Sequence, residues 1–181
     1  MAQFQRDGDP DLDKMFFEAQ RFAASLNFTA PYCLTLAGKT GTGKTHLAKK
    51  VLRQFTDQNR FEVKYDALDQ RILGNTSMWV DWRKLCIDAR TQGCDHYRLV
   101  DDICREWFVV IDDLGAGRDN TGFVTDIADQ IISGRKEKWT LITTNLSLRE
   151  LADKMDVRIA DRLLRNNGVV VEVNAKSFAL K

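Results

Sequence analysis

The sequence predicts an α/β fold of three layers, a parallel sheet with helices on both faces. Three observations carry that expectation. Short apolar runs of strand length alternate with longer stretches whose apolar residues recur every three or four positions. One glycine-rich loop joins such a run directly to such a stretch, and a later run ends in two adjacent carboxylates. Sheets of this kind gather their ligands at the carboxyl ends of the strands, which is where both polar features fall.

Size and charge narrow the class. A chain of 181 residues with 44% hydrophobic residues is one domain's worth of sequence and can bury one substantial core. Lys and Arg number 27 against 26 Asp and Glu, so the net charge is +1. That balance excludes a global electrostatic pull toward DNA or an anionic membrane, and nucleic-acid binding then needs a local patch. The first residues, MAQFQRDGDPDLDK, are polar where a signal peptide needs an apolar core, and no apolar run reaches the length of a membrane span. A soluble, cytoplasmic protein with no membrane attachment is expected. Cys33, Cys86, Cys94 and Cys104 then read as reduced thiols. Cys86, Cys94, His96 and Cys104 crowd together, but their spacing lacks the close ligand pairs of a zinc knuckle.

The elements follow in order. Asp9-Pro10 supplies a helix cap with proline in the first turn, after which Leu12, Met15, Phe16, Ala19, Phe22, Ala23 and Leu26 share one face. Residues 1–31 are therefore expected to be an N-terminal extension with one amphipathic helix packed on the core, and residues 32–181 the main domain. Residues 32–37 read as a buried strand entering the glycine loop, and Leu47, Ala48, Val51, Leu52 and Phe55 repeat with helical spacing beyond it. Further strands are expected at 107–111, 139–143 and 169–173. Phe123, Val124, Ile127, Ala128, Ile131 and Ile132 mark a helix that Gly134 closes. Ser147-Leu148-Arg149-Glu150 has the spacing of a capping box and opens another helix.

The strongest chemical signal is Gly38-Lys39-Thr40-Gly41-Thr42-Gly43-Lys44-Thr45, a Walker A pattern in the strand-to-helix context that the pattern requires. Glycines let the backbone N–H groups approach phosphate oxygens, and the following helix adds its positive N-terminus. Lys44 is expected on the β and γ phosphates of ATP, with the Thr45 hydroxyl on Mg²⁺. The run 108–113 is an apolar strand ending in Asp112 and Asp113, the Walker B arrangement. Asp112 would hold the metal and Asp113 would orient or deprotonate the attacking water, against the plainer reading of a solvated turn. Asn145, at the tip of the following strand, either positions that water or merely forms a turn. Arg158 and Arg162 lie four residues apart on one helical face. They are either partners for Asp153 and Asp161 or groups that reach the γ-phosphate of a neighbouring subunit and neutralise transition-state charge.

Four segments resemble the AAA+ ATPases of bacterial and phage helicase loaders, the DnaC-type proteins, with the IstB-type transposition helpers as relatives. They are GKTGTGKTHLA from Gly38 through His46 to Ala48, VVIDDLGAG at 109–117, TLITTNLS at 140–147 and RIADRLL at 158–164. The resemblance implies a three-layer P-loop NTPase of the AAA+ type for residues 32–181. It makes Asn145 a sensor-1 residue and Arg162, with Arg158 beside it, the arginine-finger candidate. Family members bind ATP and Mg²⁺, assemble side by side as homo-oligomers, touch single-stranded DNA, and help open and place a replicative DNA helicase.

Two departures stand out. Only about 31 residues precede the first strand, where loaders carry a helicase-binding domain, and fewer than twenty follow Arg162, so no C-terminal lid domain and no sensor-2 arginine are expected. Trp79, Trp82, Arg83, Lys84, Arg90, Tyr97 and Arg98 interleave aromatic and basic residues, as a single-strand stacking surface does; equally, the apolar ones are core and the charges a solvated face. The alternatives to a loader are a transposition or phage DNA-packaging or assembly ATPase on duplex DNA, a small-molecule kinase, and a non-hydrolysing module, since Asp113 is shorter than the glutamate common at that position.

Overall fold

The computed structural model describes residues 8–26, 28–58, 63–65, 71–73, 76–91, 96–117, 121–165, 167–175 and 177. Cys94, named above, lies outside them. The chain opens with α1 (Pro10–Ser25), β1 (Cys33–Gly38), α2 (Lys44–Gln58), β2 (Val63–Tyr65) and β3 (Arg71–Leu73). It continues through β4 (Ser77–Asp81), α3 (Trp82–Thr91), α4 (His96–Arg105), β5 (Phe108–Asp112) and α5 (Phe123–Gly134). It closes with β6 (Trp139–Thr144), α6 (Leu148–Lys154), α7 (Val157–Leu164) and β7 (Val169–Val173). Five strands form one sheet in the order β4-β5-β6-β1-β7, while β2 and β3 make a separate two-stranded sheet. Every neighbouring pair in the larger sheet is parallel, so all five strands point their carboxyl ends the same way.

The three layers follow from period-2 alternation along fully buried strands. Phe108 and Val110 of β5, Leu34 and Leu36 of β1, and Trp139 and Leu141 of β6 join one core cluster with α1 and α2. Val109, Ile111 and Ile142 face the opposite cluster, with residues of α3 to α7. Asp9 caps α1, its Oδ1 accepting from Asp11 N at 2.9 Å and Leu12 N at 3.3 Å, with Pro10 in the first turn. The buried stripe of that helix sends Phe22 edge-on to Tyr32 and Trp139, so α1 is packed into the same core as the first strand. Ser147 and Glu150 form the full capping box of α6. No helix among the described residues is long and apolar enough to cross a membrane.

Two expectations change. Gly134 is the last residue of α5 and does not close it in a left-handed turn; Arg135 is the cap residue. A Cβ on Gly134 would stand 2.5 Å from Cys104 Sγ, so glycine there serves the close approach of α4 and α5. Strand β4 and helices α3 and α4 were not expected as elements. The strand is short, with three half-buried residues ahead of Val80, because it lies at the sheet edge.

Candidate functional site

The glycine loop leaves β1, between β6 and β7, pressed against its β7 neighbour. A Cβ on Gly38 (φ 133°) would stand 2.1 Å from the Val173 carbonyl oxygen, so only glycine fits. Gly41 and Gly43 hold φ of 82° and 92°, the left-handed region that side chains disfavour. Thr42 Oγ1 donates to Lys39 O at 3.1 Å, and Leu47 N donates to Gly43 O at 3.0 Å as α2 begins. No acidic residue sits in the first turn of α2, so its N-terminal positive potential is left for an anion. Lys39, Thr40 and His46 are exposed around the loop.

Lys44 is 4% exposed and lies along the loop rather than in solvent. Its Nζ donates to Gly38 O at 2.6 Å and to Lys39 O at 2.8 Å. Burial lowers its pKa to about 8, while the nearby Asp113 and Asp112 carboxylates oppose the fall. A desolvated ammonium of this kind attracts phosphate more strongly than a hydrated one.

The acids meet the loop from the next strand but one. Asp112 Oδ1 accepts from Thr45 Oγ1 at 2.9 Å and from Thr143 Oγ1 at 2.6 Å. Thr143 Oγ1 in turn accepts from Asp113 N at 3.0 Å, and Asn145 Nδ2 donates to Asp113 Oδ1 at 2.9 Å. Asp113 takes a left-handed φ of 60°, a conformation that aspartate tolerates. Two further bonds fasten the strand tips: Leu114 N to Thr143 O at 2.9 Å, and Thr144 Oγ1 to Leu114 O at 2.8 Å. A hydroxyl and a carboxylate this close form a donor set for a hard divalent cation beside a phosphate cradle. In the sequence Thr143 and Thr144 read only as the close of the strand before Asn145; threonines at a strand tip after a Walker B strand are the available signal for this further role.

Lys44, Thr45, Asp112, Asp113 and Asn145 are thus brought together. The arginines of α7 are not. Arg158 binds Asp156, the cap residue of α7, through Nε at 3.0 Å and Nη2 at 2.9 Å. Arg162 pairs with Asp129 of α5, while Asp161 is taken by Arg165. The expected partners Asp153 and Asp161 are therefore replaced by Asp156 and Asp129, because α7 packs beside α5.

The aromatic and basic patch divides. Trp82 is completely buried and Trp79 half-buried, with Lys49 Nζ 5.5 Å from its ring centroid, so neither indole is a free stacking surface. Tyr97 is 65% exposed, and Arg83, Lys84, Arg90 and Arg98 are exposed. A groove of about 270 Å³ runs between α3, the 115–117 loop and the end of α6, lined by Arg83, Ile87, Arg90, Gly115 and Lys154 among others. Trp82 lines it too, and its indole N–H has no hydrogen-bond acceptor among the described residues.

A phosphate-type loop after β1, paired acids on the next strand but one and a polar tip on the strand between them, on a parallel sheet in this order, make an α/β P-loop NTPase-like fold of the AAA+ type. Solved structures make the likeness particular. The DnaC helicase loader superposes with a TM-score of 0.68 at 20% identity, covering 92% of this chain and 92% of that one. DnaI gives 0.66 at 20% identity over 96% and 87% of the two chains. The replication initiator DnaA bound to AMPPCP and single-stranded DNA gives 0.66 at 13% identity, over 96% of this chain and 49% of that one. No protein-family model matches the sequence, and no curated protein matches it.

Proposed function

We propose that this chain binds and hydrolyses Mg-ATP as a DNA-replication factor of the helicase-loader kind, acting as a homo-oligomer on single-stranded DNA and on a replicative helicase. The observation that carries the reading is the hydrogen-bonded path from Thr45 through Asp112 and Thr143 to Asp113 and Asn145. It ties the glycine loop to a base candidate and to the residue that orients it. Backbone N–H groups of residues 38–45 would receive the phosphates, Lys44 would neutralise their charge, and Thr45 with Asp112 would hold Mg²⁺. Bound Mg-ATP supplies the phosphoanhydride and the Lewis acid. Asp113 accepts the proton of the attacking water, and Asn145 fixes the carboxylate that does so. Arg162 serves a second copy of the chain, since within its own it is held on α5.

The DNA contact is assigned to the groove beside the Walker B loop. Arg83, Arg90 and Lys154 offer phosphate contacts at its rim, and the buried Trp82 N–H is a donor without an acceptor. Its position next to Gly115, two residues beyond Asp113, would let DNA occupancy reach the hydrolytic acid. Similar structures support the reading: one is a helicase loader, another an initiator holding a nucleotide analogue and single-stranded DNA.

Product analysis with Mg-ATP tests it. Free phosphate released faster with a single-stranded oligonucleotide than with a duplex is expected, and Arg83→Glu with Arg90→Glu should remove the stimulation while leaving ATP affinity intact. Stronger stimulation by duplex, a phosphorylated metabolite, or turnover equal to background would overturn it.

A further inference from the structure

The amino ends of the strands carry a second cavity. Cys33 and Thr140 are register partners at the start of β1 and β6, and both line a space of about 320 Å³ bounded by α5, α7 and the turn between α5 and β6. From the amino ends of these strands, the end opposite the glycine loop, it runs along the α5 and α7 face of the sheet as far as Ile111 and Ile142. Its floor is apolar, made by Ile111, Ile142, Ile132 and Leu163. Its walls and mouth carry Arg135, Lys136, Lys138, Arg162 and Arg165 with Glu137; Arg162 and Arg165 are paired with Asp129 and Asp161, which leaves Arg135, Lys136 and Lys138 against the one carboxylate of Glu137.

Arg135 is the unusual member. It is 4% exposed, and its partners are three backbone carbonyls and the Thr140 hydroxyl. No carboxylate forms an ion pair with it among the described residues, although the nearby Glu106 carboxylate favours its charged form; Glu106 Oε2 is buried with no hydrogen-bond partner among the described residues. The carbonyls of Ile103 and Glu106 at the end of α4 explain why the guanidinium is tolerated there. The guanidinium stands, without a direct ion pair, in the wall of a space large enough for a small ligand.

We infer that this cavity is a second ligand site, distinct from the nucleotide site, for a small organic anion: an acid head held at the Lys136 and Arg162 mouth and an apolar body on the isoleucine floor. Arg162 links it to turnover, because an anion at the mouth competes with Asp129 for that guanidinium. That link rests on the trans role proposed for Arg162; the binding site does not.

Fluorescence titration with 1-anilinonaphthalene-8-sulfonate, an aromatic body bearing one sulfonate, tests the site on the full chain. Saturable binding of one equivalent is expected, displaced by decanoate and retained in Lys44→Ala, which impairs the nucleotide site. Ile132→Trp, which fills the floor, and Lys136→Glu, on an exposed residue that does not threaten folding, should each weaken the probe by about tenfold or more. Binding that Lys44→Ala abolishes, binding that both cavity variants leave unaltered, or no saturable binding would overturn the site. If the probe binds as expected yet phosphate release does not respond to decanoate, the link through Arg162 fails and the site stands. If the chain neither binds nor hydrolyses ATP, the function proposed above fails while the titration still decides the cavity.

Discussion

The tip of the β5–β6 pair and the outer side of α7 are both rich in charge, yet they use it differently. At the strand tips the polar groups are bonded to one another across three elements, and Asp112 alone gathers hydroxyls from α2 and β6. On α7 each arginine is bound to one carboxylate of its own surroundings, and neither reaches the tips. On the function proposed above, one copy of this chain would hold the nucleotide cradle with Lys44 at the phosphates, while neither Arg158 nor Arg162 would reach that cradle within the same copy. Binding should therefore belong to the single chain and hydrolysis to a pair of chains.

The largest test of that contrast is Arg162→Ala. Removal of an arginine that neutralises phosphoryl-transfer charge costs about a thousandfold in kcat or more, and ATP affinity should not move. Equal turnover by the variant would erase the distinction between the two regions. Next comes Asp113→Asn, expected to lower kcat by about a hundredfold to ten thousandfold with nucleotide still bound. Lys44→Ala should weaken ATP binding by about a hundredfold in a calorimetric titration, because it removes a charged hydrogen bond to phosphate. Thr143→Val sharpens the picture of the strand tips. It strips Asp112 of one of two hydroxyl donors and Asp113 of an acceptor for its N–H, for a loss of roughly tenfold in turnover.

The smallest expected effect is one of pH. Burial sets the Lys44 pKa at about 8, below its ordinary value of 10.5. As pH rises through 8 the folded chain sheds this proton before the unfolded chain does, so Lys44 adds stability with rising pH between about 8 and 10.5. Nucleotide binding goes the other way, since phosphate favours the ammonium. Affinity should fall by roughly a few-fold between pH 7.5 and 8.5, with proton uptake visible as a buffer-dependent heat. A pH-independent affinity would show that Lys44 keeps its proton throughout.

Much of this was legible because the informative signals are local. A Walker A loop needs only its own residues and a strand and helix on either side, and the Asp9 and Ser147 caps are settled within four residues of chain. The sequence was silent where a role depends on which elements become neighbours. Thr143 matters because β5 pairs with β6 in the register that sets Ile111 opposite Ile142, bringing its hydroxyl to both acids. Asp129 is 33 residues from Arg162 and becomes its partner through the packing of α5 on α7. Gly134 looked like a helix stop and is instead a contact point for Cys104. Trp82 read equally as a stacking platform or as core, and burial places it in the core.

The most direct test of a cradle in one chain and a cation from another is to mix two inactive variants. Asp113→Asn keeps Arg162 but lacks the base; Arg162→Ala keeps the base but lacks the arginine. The account predicts that the mixture releases phosphate well above the sum of its parts, since each Arg162→Ala site can be completed by a neighbour carrying Arg162. Activity no greater than that sum, with both variants folded and assembled, would contradict it.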